Sequence, residues 1–175
     1  RLRRLTASTF LVTRSLAATR DDPAALPDGV DRTLRALRVD DARGRALGVV
    51  SFFALHATSI HGDTRILHPD HKGLAAEAFE AWARAAGHAP GLVALFAQGA
   101  AGDVSPNVRF EPARRVRVGP GASDEVSARL VASAQVAATR RAFETAAPLP
   151  TLPLDATASH VDLERRAIPA AFAGG

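Results

Sequence analysis

The chain has 175 residues, 47% of them apolar and 23% charged, which excludes a disordered or low-complexity chain and suits one domain with a core of its own. It contains no cysteine, excluding a disulfide framework and a thiolate metal site, and no apolar run near the roughly 20 residues of a membrane-spanning helix. The net charge of +4 comes almost wholly from scattered arginines, with Lys72 the only lysine and no tyrosine; without a basic patch or stacking platform, nucleic acid is not an expected partner.

No secretory leader pattern is read at the N-terminus, and a chain without any methionine is expected to be a processed product or a fragment. After a basic start, residues 9–13 read as a short strand. Residues 20–31 are rich in turn formers. Residues 33–39 place apolar side chains among arginines and read as a strand. A Gly44-containing connection over 40–45 then leads to a second strand over 46–55. The pair should be antiparallel. The run from Val49 to Leu55 is apolar on both faces, as expected of a central strand.

That strand delivers His56. A single histidine there reads first as a hydrogen-bonded structural residue. The alternative is a metal ligand, since neutral imidazole at the end of a rigid strand is a sound zinc donor. His61, His68 and His71 read as loop residues, because Pro69 disfavours a helix that would align His68 with His71. A helix is predicted over 73–86, with Leu74, Ala78, Phe79, Trp82 and Ala86 forming its apolar stripe and Gly87 its stop. A buried strand over 92–97 follows, giving a parallel crossover.

The sequence next turns sharply: Gln98-Gly99-Ala100-Ala101-Gly102-Asp103-Val104-Ser105-Pro106-Asn107. Gly99 and Gly102 permit conformations that a Cβ forbids, and Pro106 pushes Ser105 towards an extended backbone. The expectation is a rigid loop at a strand's C-terminal end that presents one hydroxyl, where open α/β sheets place their sites. Asp103 is expected to hold the turn by accepting nearby backbone N–H groups. Gln98 and Asn107 either bond a substrate or brace the loop. Gly-Asp and Ser-Pro are also ordinary turn dipeptides, so a purely structural loop is the competing reading.

Residues 108–118, with Arg109, Arg114, Arg115 and Arg117, read as an irregular basic loop. Ser123 is a good N-cap, and Asp124 and Glu125 suit the start of a helix running to about residue 144. Val126, Leu130, Ala134 and Ala137 are expected to face a sheet. Residues 147–155 read as an extended, proline-rich linker and 157–168 as a strand.

Two of these stretches carry a family resemblance. Phe96-Ala97-Gln98 with the hexapeptide Gly102-Asp103-Val104-Ser105-Pro106-Asn107 resembles the nucleophile loop of the neutral/alkaline non-lysosomal ceramidases. Phe52-Phe53-Ala54-Leu55-His56-Ala57-Thr58-Ser59 is similar to the segment that carries a zinc histidine in the same family. Arg14 matches the arginine of the family's Asn-Arg-Ser segment, although Thr13 replaces the asparagine, and Asp70, Lys72 and Gly73 match a turn. The resemblance runs from about Arg14 to Gly175 and covers an interior part of the family's catalytic domain.

The antiparallel pair and the parallel crossover together predict an α/β fold, a mixed β-sheet with helices packed on it, and the resemblance makes residues 1–175 an incomplete part of a larger domain. The resemblance implies hydrolysis of the amide of ceramide (N-acylsphingosine) to sphingosine and a fatty acid, with Ser105 catalytic, His56 a zinc ligand, and Arg14, Gln98 and Asn107 near substrate. Ser105 either attacks the carbonyl or holds a substrate hydroxyl. The family's zinc is held by two histidines, a glutamate and a tyrosine, and of these only His56 has a match here. Partners are ceramide or a related lipid amide, and a membrane surface. Location is expected to be secreted, periplasmic or membrane-associated. The alternatives are a non-catalytic lipid-binding remnant and a zinc hydrolase of another lipid amide or ester.

Overall fold

The computed structural model describes the main chain of residues 2–8 and, with side chains, residues 31–102, 104–149 and 157–160. Arg14, Asp103, the strand expected over 9–13 and most of that expected over 157–168 lie outside them. Residues 157–160 are exposed and not in a strand.

Nine elements follow in order: β1 (Leu2–Ser8), β2 (Thr33–Asp40), β3 (Ala46–Phe53), α1 (Asp70–Ala85), β4 (Val93–Gln98), β5 (Arg109–Glu111), β6 (Val116–Val118), α2 (Asp124–Glu144) and β7 (Ala147–Pro148). The main sheet has the strand order β4-β3-β2-β1-β7. The β2–β3 turn is closed by Asp41, whose carboxylate accepts the N–H groups of Arg43 at 2.8 Å and Arg45 at 2.9 Å. β2 therefore runs antiparallel to β3, and it also runs antiparallel to β1. β4 lies parallel to β3 after the α1 crossover, from Gly48 opposite Val93 to Phe53 opposite Gln98. The mixed sheet expected from the sequence is present, with β3 internal.

Both helices pack on one face of the sheet, α1 against β4 and α2 across β1, β2 and β3. Val49, Phe53, Ala94 and Phe96 point into that layer and are buried. Phe79 sits at its centre, edge to face with Trp82 at 4.9 Å and Phe143 at 5.4 Å. The alternate residues Phe52, Val93 and Leu95 point the other way and are exposed, as is Leu47 at the irregularity in the β2–β3 register. No helix among the described residues is long and apolar enough to cross a membrane.

Three local expectations are corrected. α1 begins at Asp70 rather than residue 73, so His71 is helical and buried, and the buried stripe is His71, Ala75, Phe79 and Ala83, with Ala78 and Ala86 exposed. Pro69 sits just before the helix, where its missing N–H costs nothing. Residues 109–118 are not an irregular loop but the hairpin β5–β6, with Arg109 opposite Val118. α2 starts as expected: the Ser123 hydroxyl accepts the Val126 N–H at 3.2 Å. Its buried face, however, is Ser127, Ala128, Val131, Gln135 and Thr139, while Val126, Leu130 and Ala137 are exposed. The helix turns polar residues inward because each has a partner there. Thr139 Oγ1 donates to Ser51 Oγ at 3.1 Å, and Ser127 Oγ accepts the Gly121 N–H at 3.1 Å.

Candidate functional site at the ends of β3 and β4

β3 and β4 are parallel neighbours, so the chain leaves both at the same end of the sheet. The two loops meet there. Gly99 follows β4, and its N–H donates to the Phe53 carbonyl at 3.0 Å. A Cβ on Gly99 would lie 2.9 Å from the backbone nitrogen of Ala54 and 3.1 Å from the Phe53 carbonyl carbon. Only glycine allows that approach. Gly102 has φ +53°, the left-handed region.

His56 is held at three points. Its N–H donates to the Val104 carbonyl at 3.1 Å, its Nε2 lies 2.7 Å from the Gly102 carbonyl, and its own carbonyl lies 2.9 Å from His71 Nε2. Asn107 adds a third link between the loops, donating from Nδ2 to the Thr58 carbonyl at 2.8 Å. Asn107 Oδ1 is buried and has no hydrogen-bond partner among the described residues. The Ser105 hydroxyl accepts the Asn107 N–H at 3.1 Å, which orients the oxygen and leaves its proton unused by that bond. The Gln98 side chain is exposed and donates from Nε2 to the carbonyl of Gly99 at 3.2 Å. The structure thus brings His56, Ser105 and Asn107 into one corner, with Gln98 at its rim.

Behind the corner is a buried polar chain that sequence reasoning missed. Lys72, in the first turn of α1, points its ammonium at the Phe53 carbonyl (3.1 Å), the Ala97 carbonyl (3.3 Å) and Gln135 Oε1 (3.2 Å). Burial pushes its pKa down to about 8. Gln135 Nε2 lies 2.8 Å from His71 Nδ1. Burial likewise lowers the pKa of His71, which is fully enclosed.

Asp70 has φ +51° and anchors the β3 loop from the start of α1: its carboxylate accepts the N–H groups of Ile60 at 2.9 Å and His71 at 2.6 Å. His61 is tied to Asp124, at the start of α2, by Nδ1 at 2.8 Å and by its N–H at 3.0 Å. Burial opposes protonation of His61, but its bonds to the Arg117 carbonyl and Asp124 outweigh that and raise its pKa. His61 and His68 lie in loops as expected, His68 Nδ1 accepting the Asp70 N–H at 2.8 Å, whereas His71 is helical. The one sequence signal that could have found this layer is Lys72, the only lysine in the chain.

A zinc ion was expected at His56. The Gly102 carbonyl accepts only, so Nε2 carries the ring proton and the lone pair left for a cation is on Nδ1. An imidazole oriented by a backbone carbonyl in this way fits the pattern of metal-binding histidines. Among the described residues no group of three or more potential ligands gathers, and His56 offers one donor atom.

The fold and the corner define a mixed α/β chain whose polar groups converge where two parallel strands end. The family profile described as neutral/alkaline non-lysosomal ceramidase, N-terminal, matches residues 7–171. The chain belongs to that family. It is 35% identical over 91 residues to the neutral ceramidase of Pseudomonas aeruginosa, covering 52% of this chain and 13% of that protein. It is 40% identical over 94 residues to the neutral ceramidase of Mycobacterium tuberculosis, covering 50% of this chain and 14% of that one. The crystal structure of the Pseudomonas aeruginosa enzyme superimposes with a TM-score of 0.64 at 28% identity, over 83% of this chain and 22% of that one. A structure described as ceramidase complexed with C2 gives 0.66 at the same identity and coverage. The chain therefore spans a small part of the relatives it matches.

Proposed function

We propose that this chain forms part of the active site of a zinc-dependent amidohydrolase that cleaves the amide of ceramide to sphingosine and a fatty acid. The observation that carries the reading is the meeting of the two family stretches: the Gly102–Asn107 loop is bonded to His56 through the carbonyls of Gly102 and Val104. The family membership and the names of the relatives supply the substrate.

His56 would contribute Nδ1 to zinc, which when bound would polarise the amide carbonyl and acidify a water. Ser105 presents a hydroxyl oriented by the Asn107 N–H. That hydroxyl either attacks the amide carbon or holds a hydroxyl of the substrate. Asn107 keeps the Ser105 loop against the His56 loop through Thr58. Arg14 and Gln98 are proposed to lie near substrate, with ceramide presented by a membrane surface.

The test is fatty-acid release from an N-acylsphingosine by the full protein, with and without zinc, and with Ser105→Ala. Release that needs zinc and falls at least about a hundredfold in the variant supports the reading. Equal release in all three conditions overturns it. Ceramide binding without zinc and without turnover would favour the lipid-binding remnant.

A further inference from the structure

Lysine's ammonium only donates, so it sets the direction of every bond beyond it. Facing Lys72, Gln135 must present its oxygen, and it therefore turns its NH2 group to His71. His71 Nδ1 must then accept, which leaves its proton on Nε2, pointing at the carbonyl of His56. The chain has one polarity from end to end and stops on the residue whose ring and N–H hold the Ser105 loop.

We infer that Lys72, Gln135 and His71 are positioning residues for the candidate active site, acting as a one-way hydrogen-bonded strut that fixes the main chain of His56. The inference rests on the proposed function for its relevance to turnover, but its geometry stands apart from it. Burying three polar side chains is costlier than packing apolar ones, unless each bond is made. Here each is made, and by residues from four elements: α1 supplies Lys72 and His71, α2 supplies Gln135, and the ends of β3 and β4 supply the carbonyls of Phe53 and Ala97. The strut also explains why α2 turns Gln135 inward. Lys72 does a second task, since one ammonium bonds the last residue of β3 and the penultimate residue of β4. The spacing of the two strand ends, and so of the two loops, is set from the same point.

The test uses two substitutions at one position in the full protein. His71→Gln keeps a donor where Nε2 stands, whereas His71→Asn reaches only as far as Nδ1 and leaves the His56 carbonyl without its donor. Three readouts apply: thermal melting, long-range ¹H–¹⁵N spectra of the histidine rings, and kcat and KM on an N-acylsphingosine. In the unaltered protein the ring spectra should show His71 neutral and protonated on Nε2. His71→Asn should shift the His56 ring signals and lower kcat about tenfold while leaving KM within about twofold, and His71→Gln should recover most of that loss. Should His71→Asn not fold, Lys72→Met serves instead. It frees Gln135 to turn over, and the Nε2 preference of His71 should be lost.

An Nδ1-protonated His71 in the unaltered protein overturns the inference. So do unchanged His56 signals in folded His71→Asn, equal losses in both His71 variants, or an unchanged His71 tautomer in Lys72→Met. If the unaltered protein has no amidase activity, the proposed function fails, and the ring spectra still decide the strut.

Discussion

The loop after β3 and the loop after β4 leave the sheet side by side, yet they are held by different means. The β4 loop is shaped from within: Gly99 lies against the backbone of β3, Gly102 takes a left-handed turn, and Ser105 receives the N–H of Asn107. The β3 loop is shaped from outside, by Asp70 and His71 of α1 and Asp124 at the start of α2. The first kind of loop carries its turn-forming residues within itself, although it is also tied to His56 and Thr58. The second borrows its supports from residues up to 63 positions away, as in the bond from His61 to Asp124.

The comparison can be broken by removing one support at a time. Asp70→Ala should be the most damaging. It takes a carboxylate from the N–H groups of Ile60 and His71 and puts alanine at φ +51°, for about 3 kcal/mol, read as a drop in the urea midpoint. Asp70→Asn, which tolerates that backbone and keeps one acceptor, should lose clearly less. Gly99→Ala should follow at about 2 kcal/mol, because the new methyl meets main-chain atoms that have no room to move aside. Asn107→Ala should cost only about 1 kcal/mol, since losing the bond to Thr58 is partly offset by freeing the buried Oδ1, unpartnered among the described residues. A larger loss at Asn107 than at Gly99 would mean that side chains, not backbone, hold the β4 loop.

The smallest effect is one of pH. The raised pKa of His61 means that its bond to Asp124 contributes in full below the unfolded histidine value, about 6.5, and is lost as pH rises through the raised folded value. Burial works against ionised Asp124, but its bonds to His61 prevail and lower its pKa, so its part is lost as pH falls below about 4. The pair should stabilise most between those limits, against the nearby positive charge of Arg114, and by less than about 1 kcal/mol because both groups are partly exposed. His61→Gln should flatten that portion of the stability–pH curve.

The same contrast separates what was legible in the sequence from what was not. The β2–β3 hairpin, the parallel crossover to β4, the Ser123 cap and the Gly102–Asn107 turn all rest on residues within a few positions of one another. Glycine, proline, capping and alternation state such features locally. His71 departs from expectation for the opposite reason. Pro69 keeps His68 out of the helix, as expected, but it sits at the helix start and leaves His71 free to be helical.

The sequence by itself determined the mixed sheet, the two helices and the strand-end loop. Only the tertiary structure decided which side of α2 is buried. An apolar count favours Val126 and Leu130, whereas the fold buries Ser127, Gln135 and Thr139. The physical reason is that a polar side chain belongs in a core only when its partner is already there, and the partners of Gln135, His71 and Lys72, are 64 and 63 residues away.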